Sequence, residues 1–254
     1  MLRVGVSGGR GRMGKKITGL VVDNPDLKLT GILESPAHQD SGKSVSGVKV
    51  SSDIKSAVKK ADVIIDFSSP ENTLELAGIC AGKGVSLVIG TTGFTGSQKK
   101  ELKKYSGEVP VLLSPNMSVG VNLIFKIARE ISRSIPDYEK EIVEAHHNKK
   151  ADSPSGTAQK IADIISGKED KQIYGRKGNV GARDKNEVGI HAVRGGNIVG
   201  EHTVMWVGPH DRIELTHRAA SRSVFAGGAV RAARWISKID KPGLYSMADV
   251  LEEE

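Results

Sequence analysis

Between Glu144 and Ala158 the chain reads Glu-Ala-His-His-Asn-Lys-Lys-Ala-Asp-Ser-Pro-Ser-Gly-Thr-Ala, which gathers two imidazoles, two ammonium groups and a helix-start pattern. An imidazole with an ordinary pKa of about 6.5 gives or takes a proton near neutral pH, and Lys150 adds a fixed positive charge. Ser155 is of N-cap type and Pro154 helps to fix the approach. The N–H groups of Gly156, Thr157 and Ala158 would then point out of the helix start, where a carboxylate or phosphate can be held. This chemistry suits an anionic substrate that must also receive a proton. His146 and His147 are neighbours, so on an extended segment they point to opposite sides and one of them faces a given bound atom. Zinc ligands more often come as two histidines three or four apart with Cys or carboxylate support, so no metal is expected here. Two surface histidines beside two lysines are the bland alternative. The Ser-Gly-Thr anion site that follows tilts the reading toward function.

The elements around this run follow from periodicity. Asp137 to Val143 alternates as a strand does, and Ala158, Ile161, Ala162 and Ile165 fall at helical spacing, so the run is a strand-to-helix connection. At the other end of the chain, the apolar strand Leu2 to Ser7 enters Gly8-Gly9-Arg10-Gly11-Arg12-Met13-Gly14 and then a helix with apolar positions Met13, Ile17, Leu20 and Val21. Gly9-Arg-Gly11-Arg-Met-Gly14 fits G-x-G-x-x-G between a strand and a helix. Glycines there permit a tight turn, approach of a pyrophosphate to the backbone and close helix packing. A second strand, Leu27 to Leu33, ends at Glu34, where a carboxylate can accept hydrogen bonds from a ribose diol.

Strand and helix go on alternating: strand 62–67, helix 71–82, strand 85–90, helix 97–105, strand 109–114. Such alternation argues a parallel, doubly wound sheet whose ligands lie at the carboxyl ends of the strands. Three polar or glycine-rich turns occur there: Phe67-Ser-Ser-Pro70, Gly90-Thr91-Thr92-Gly-Phe94 and Ser114-Pro115-Asn116-Met117. A long helix is predicted over 118–135, with a stripe of Leu123, Ile124, Ile127, Ala128 and Ile131. After the central run, 166–187 has little periodicity and reads as a long excursion or mobile loop. Strands are expected over 188–193, 198–207 and 212–218, and a final helix over 224–239. The fold class is therefore α/β: an N-terminal Rossmann-type doubly wound parallel sheet (1–117 with 224–254), plus a C-terminal α+β domain for substrate and oligomerisation with an open mixed sheet (118–223).

Glu144-Ala-His-His-Asn-Lys-Lys150 with Asp152-Ser-Pro-Ser-Gly-Thr-Ala158 resembles the signature of the dihydrodipicolinate reductases, also called 4-hydroxy-tetrahydrodipicolinate reductases, of lysine and diaminopimelate biosynthesis. The runs Val193–His202 and His217–Ala229 and the 242–251 tail resemble the same family, so the likeness spans nearly the whole chain. It implies reduction by NADH or NADPH, with hydride passing to C4 of a cyclic unsaturated dicarboxylate formed by loss of water. The glycine turn, Glu34 and the loops Gly90–Thr92 and Ser114–Met117 would hold the cofactor. Substrate carboxylates would meet His147, Lys150, Ser155, Gly156 and Thr157. His146 would be the general acid, with Lys150 its electrostatic partner or the proton donor itself. Arg222 aligns with a family arginine near the active-site hinge, and hinges are expected near 116–119 and 222–226. In the family an arginine often follows the ribose acid and accommodates the extra phosphate of NADP. Ser35 stands here instead, which favours NADH on charge grounds, although Arg10, Arg12 or Lys43 offers a cation. The family is a homotetramer through its second-domain sheets, and 198–207 is apolar enough to allow that.

Composition sets the remaining bounds. The chain of 254 residues carries 37 basic and 30 acidic side chains for a net charge of +7, yet only 4% of residues are aromatic, too few for an obvious base-stacking platform. Steering of small anions accounts for the charge, and no nucleic-acid partner is expected. A regulator that binds NAD(H) and nucleic acid is the rival from another class, and it would have no use for an anion site beside a His-His-x-x-Lys cluster. A different Rossmann dehydrogenase of small acids is the other alternative. No apolar run approaches membrane-spanning length and no apolar signal region opens the chain, so a cytoplasmic protein is expected, with no membrane partner. The lone Cys80 reads as a small buried apolar residue.

Overall fold

The computed structural model describes residues 1–252. The chain forms two compact units, residues 1–119 with 223–254, and residues 120–222. In chain order the first unit runs β1 (Leu2–Ser7), α1 (Arg12–Val22), β2 (Leu27–Leu33), β3 (Ser44–Val45), β4 (Val48–Ser51), α2 (Ile54–Lys59), β5 (Val63–Asp66), α3 (Pro70–Ala81), β6 (Ser86–Ile89), α4 (Gly96–Tyr105) and β7 (Pro110–Leu113). The second unit takes most of α5 (Val119–Ser134), then β8 (Glu139–His146), α6 (Gly156–Ile165), β9 (Lys171–Tyr174), β10 (Glu187–Arg194), β11 (Glu201–Val207) and β12 (Arg212–Arg218). The chain then returns to the first unit as α7 (Ser223–Ile236), β13 (Gly243–Tyr245) and α8 (Met247–Glu252).

The first sheet has the order β13-β7-β6-β5-β1-β2-β4-β3 and is parallel except for the short β3–β4 pair. The order reverses on either side of β1, which makes the switch point where doubly wound sheets bind ligands. Side chains alternate across each strand, so Val4, Val6, Val63 and Ile65 pack on one face with α1, α7 and α8. Ile64, Leu87 and Val111 pack on the other with α2, α3 and α4. Gly5 sits opposite Ile64, whose Cδ1 would lie 2.4 Å from any added Cβ.

The second sheet, β12-β11-β8-β10-β9, is mixed: β8, β10 and β9 run parallel, while β11 and β12 are antiparallel neighbours. Ile142, Val188, Ile190, Val204 and Trp206 face α5 and α6 from one side. Along β11, buried Val204 and Trp206 alternate with half-buried Thr203, Met205 and Val207.

Several sequence expectations are corrected. The strand predicted at 137–143 is β8, shifted so that it ends on His146. The stretch 166–187 is not one excursion: β9 pairs in parallel with β10, and Arg176 and Arg183 tie the following residues to Glu141 at 2.9 and 3.2 Å. Four residues among Lys, Asp and Gly carry no usable period, and only the β10 partner makes them a strand. Residues 198–200 are not strand; β11 starts at Glu201. β3, β4 and α2 occupy a region the periodicity left unassigned. In the amphipathic stripes, Leu20 and Leu123 are exposed, and Thr18 and Phe125 take the buried positions instead. No helix among the described residues is long and apolar enough to cross a membrane.

Candidate active site

In the first unit the functional residues collect at the carboxyl ends of β1, β2, β5 and β6. Gly8 has φ +66° and a Cβ there would lie 2.2 Å from the Phe67 carbonyl oxygen, while a Cβ on Gly14 would lie 2.0 Å from the oxygen of Gly8. The tight turn therefore rests on Gly8 together with Gly9 and Gly14: a Cβ on Gly9 would lie 2.6 Å from Ile32 Cγ2, and one on Gly14 would lie 2.5 Å from the Gly9 Cα, the close helix packing expected of G-x-G-x-x-G. Gly11 is the N-cap of α1 and offers no side-chain acceptor, so the first-turn N–H groups remain for an anion. These are the features a pyrophosphate requires, and the fit to a dinucleotide rests on them.

Glu34 lines a cleft of about 360 Å³ together with Ser7, Gly8, Gly11, Ser35 and Ser68. Its Oε2 accepts the Arg10 N–H at 3.0 Å and its Oε1 that of Ser35 at 3.1 Å. The Arg10 guanidinium turns to Asp40, with Nε 2.8 Å from Oδ2. Arg12 is exposed, and Met13 packs against the core around α1.

The loop after β6 is held from below. Asp66, fully buried at the end of β5, accepts hydrogen bonds from Thr91 Oγ1 at 2.8 Å, Ser68 Oγ at 2.6 Å and Thr73 Oγ1 at 2.5 Å. Burial raises its pKa and these hydroxyls oppose the rise. Thr91 Oγ1 also accepts the Ser68 N–H at 2.9 Å. Thr91 is thus committed to the scaffold, while Thr92 is exposed and Gly90 abuts the Phe67 ring. Ser114 donates to the Asn116 carbonyl at 2.8 Å and Met117 is buried, which leaves Pro115 as the exposed residue of that turn and Asn116 as partly so. Ser68 lies in the Phe67–Pro70 turn expected at a strand end, whereas Ser7 and Asp66 carry no part in the sequence reading. Their one signal was position at a strand end.

In the second unit, β8 delivers Glu144 and His146 to the same side, two residues apart on a strand. The buried Glu144 carboxylate joins the site together. Its Oε2 lies 2.6 Å from His146 Nδ1 and its Oε1 accepts the Ser155 N–H at 2.9 Å. The Arg194 guanidinium grips both oxygens at 2.8 and 2.7 Å. Burial alone would raise the carboxyl pKa; Arg194, His146 and the Ser155 N–H outweigh it and hold the group below the ordinary range, ionised. Arg194 comes from the end of β10, brought beside His146 by the parallel β8–β10 register, and it also donates to the Asp152 carbonyl at 2.8 Å.

His146 is pushed below its ordinary value chiefly by burial, with Lys150 and Arg194 adding to the effect and Glu144 opposing it. Its ring meets His202 edge to face, centroids 5.2 Å apart, and a Cβ on the buried Gly200 would lie 2.9 Å from Nε2. Nε2 therefore faces a position that only glycine leaves open. His202 lies 3.1 Å through Nε2 from Ser155 Oγ, and burial lowers its pKa to about 4, so it is neutral at pH 7.

Ser155 caps α6, accepting the Ala158 N–H at 3.1 Å, and is itself buried. The residues at the helix start that reach the surface are Gly156, exposed, and Thr157, partly so. Lys150 Nζ is paired with both Asp152 carboxylate oxygens at 2.7 and 2.8 Å. His147 stands outside the Glu144 cluster, with a buried Nδ1 that has no hydrogen-bond partner among the described residues. The structure thus gathers His146, Ser155 and Lys150 around Glu144 and Asp152. Glu144, Arg194, Asp152 and His202 are the participants the sequence reading assigned no part, although all four sit inside the runs it quoted.

The comparisons with known proteins agree over the full chain. Residues 2–117 match the family model "Dihydrodipicolinate reductase, N-terminus" and residues 120–251 match "Dihydrodipicolinate reductase, C-terminus". A 4-hydroxy-tetrahydrodipicolinate reductase of an Anaeromyxobacter species is 47% identical over 99% of this chain and 98% of its own, and that of Geotalea daltonii is 43% identical over 99% of both. Among solved structures, a dipicolinate-bound dihydrodipicolinate reductase from Paenisporosarcina sp. TG-14 superposes with a TM-score of 0.83 at 27% identity, over 97% of both chains. With both halves matched in order and relatives this similar along their whole length, the chain belongs to the dihydrodipicolinate reductase family.

Proposed function

We propose that the protein reduces 4-hydroxy-tetrahydrodipicolinate to tetrahydrodipicolinate with loss of water, in the diaminopimelate route to lysine, at the expense of NADH or NADPH. The observation that carries this reading is the Glu144-centred cluster: a strand-end imidazole held by a buried, ionised carboxylate beside a lysine and a helix start. Family membership supplies the substrate class. The solved relative's dipicolinate is a planar ring with two carboxylates, the shape the reaction calls for.

The first unit holds the dinucleotide, its pyrophosphate on the Gly8–Gly14 turn and the start of α1 and its adenosine ribose at Glu34. When bound there, the cofactor would supply the hydride that C4 of the substrate receives. In the second unit Gly156 and Thr157 offer N–H groups to one substrate carboxylate, and Lys150 exchanges Asp152 for it. Ser155 contributes from behind, by capping α6. His147 serves the second carboxylate, which would satisfy its buried Nδ1.

Hydride addition leaves electron density on the conjugated imine that a proton must quench. Glu144 accepts from His146 Nδ1, so the transferable proton is the one on Nε2, on the side of Gly200. The lowered pKa of His146 makes it a stronger acid once charged, and a bound dicarboxylate restores the charged form by its own field. Lys150 is the electrostatic partner of this step. Thr92 and Pro115, both exposed, and the partly exposed Asn116 are the loop positions through which the first unit meets the nicotinamide end; Gly90, Thr91, Ser114 and Met117 shape those loops. NADH is preferred, because Ser35 follows Glu34 where a phosphate-binding arginine would stand. The chain assembles as a homotetramer through the face of the second sheet that α5 and α6 leave uncovered.

The test is absorbance decay of NADH, and separately NADPH, with the hydroxylated substrate generated in situ, for the wild type and His146→Gln. The wild type should oxidise the cofactor rapidly. The variant should lose about 10²–10⁴-fold in turnover with cofactor affinity nearly unchanged. No oxidation by a folded, NADH-binding protein would sink the substrate assignment, and equal losses of turnover and cofactor affinity would sink the role of His146.

A further inference from the structure

Glu34 lines the cleft and accepts the Arg10 N–H, and the chain offers three cations that a 2′-phosphate could use, Arg10, Arg12 and Lys43. Two of them are spent on one side chain. Asp40 accepts from Arg10 Nε through Oδ2 at 2.8 Å and from Lys43 Nζ through Oδ1 at 3.0 Å, so both its oxygens are engaged. Arg10 and Asp40 are only 18% and 15% exposed, unlike the solvated surface pairs that contribute almost nothing. Nor is Asp40 a loose surface acid. Its own N–H donates to His38 Nδ1 at 3.1 Å, Ser41 N–H donates to the His38 carbonyl at 2.8 Å, and the turn is stitched to β4 by Gly42 N–H to Val50 O and Val50 N–H to Lys43 O, both 2.9 Å. The Arg10 backbone is fixed as well, through its N–H to Glu34.

We propose that Asp40 is a specificity-determining residue of this chain: by holding the half-buried Arg10, it withholds that guanidinium from the 2′-phosphate of NADPH and so selects the unphosphorylated ribose of NADH. The inference rests on the reading of this cleft as the dinucleotide site. A ribose diol needs only acceptors, and Glu34 supplies them. A 2′-phosphate dianion at the same place would meet the Glu34 carboxylate, find Ser35 in place of a cation, and have to draw Arg10 away from a carboxylate that already satisfies it. Arg12 is exposed, and no ion pair holds it among the described residues. The negative charge of Asp40 therefore acts twice, by occupying the cations and by repelling the phosphate.

The experiment is fluorescence titration of the full-length protein with NADH and with NADPH, for wild type, Asp40→Asn, and Asp40→Asn combined with Arg10→Gln. Wild type should bind NADH more tightly. Asp40→Asn should tighten NADPH by about ten- to a hundredfold, the range of one released charge-assisted hydrogen bond, while NADH changes by less than about threefold. The NADPH gain should shrink with added salt, and Arg10→Gln should abolish it, which shows that the freed guanidinium is its source. An NADPH-to-NADH affinity ratio that Asp40→Asn leaves unchanged, in protein that still binds NADH, overturns the proposal and spares the cleft. A gain that survives Arg10→Gln overturns it too. Wild-type protein that is folded by circular dichroism and binds neither nucleotide overturns the reading of the cleft, and the proposal with it.

Discussion

At the scale of single residues, the imidazoles of the second unit are tuned by their neighbours in ways that pH can expose. Glu144 favours the imidazolium of His146, while burial, Lys150 and Arg194 oppose it. If the free enzyme must carry that proton, kcat/KM falls as pH rises through the lowered pKa of His146. Glu144→Gln removes the supporting charge, so the descending limb should move further toward acid and turnover should fall; a pH profile of kcat/KM for both proteins checks this. His202 gives a stability prediction of opposite use. Its folded pKa of about 4 lies below the ordinary 6.5, so between those values the unfolded chain binds the proton and the folded chain does not. Its contribution to stability is whole above about pH 6.5 and is lost as pH falls toward 4, by on the order of 3 kcal/mol. Thermal melts from pH 7 to 4 should therefore fall less steeply for His202→Gln than for wild type. Identical slopes would place the acid sensitivity elsewhere.

At the scale of elements, the ends of β8, β10 and β11 make the site. The parallel β8–β10 register sets Arg194 opposite His146, and the antiparallel β8–β11 register sets His202 opposite Glu144. A frame of three strands thus positions four side chains more firmly than a loop would. Gly200, in the connection entering β11, keeps the approach to His146 Nε2 clear. Gly200→Ala should push a methyl group against that nitrogen and bring turnover down toward the His146→Gln value, with NADH affinity unchanged. Steady-state kinetics beside a cofactor titration separates this from general damage. The same logic explains what periodicity missed in this region. β9 has no pattern of its own, because its partner alone defines it, and the strand predicted to stop at Val143 runs on to His146 because β10 and β11 flank it on both sides.

For the molecule as a whole, two compact units each carry their own core, and the proposed cofactor and substrate groups fall one set to each. Ligands that bind only the folded form stabilise it by mass action, about 2.7 kcal/mol at a hundredfold excess over Kd. NADH should therefore raise the unfolding transition of residues 1–119 with 223–254, and dipicolinate that of residues 120–222. Hydrogen exchange followed by peptide would assign each effect to its unit. Protection by NADH confined to the second unit would contradict the division of labour. The net charge of +7 belongs to this scale too, as a field that would draw in the proposed anionic cofactor and dicarboxylate alike.

The sequence by itself determined the α/β class, the glycine turn after β1, the boundaries of β2, and the run from Glu144 to Ala158. Each is a local pattern: a period of two or of 3.6, a glycine where backbone must pass close, or a cap three residues before its donor. What only the tertiary structure decided is how side chains far apart in sequence spend their hydrogen bonds. Glu144 reaches Arg194, Asp66 reaches Thr91, and Arg10 reaches Asp40, across 50, 25 and 30 positions. A carboxylate in a sequence is only a charge. Which donors share it depends on strand order and register, and those are set by the burial of apolar faces, which the polar residues themselves do not encode.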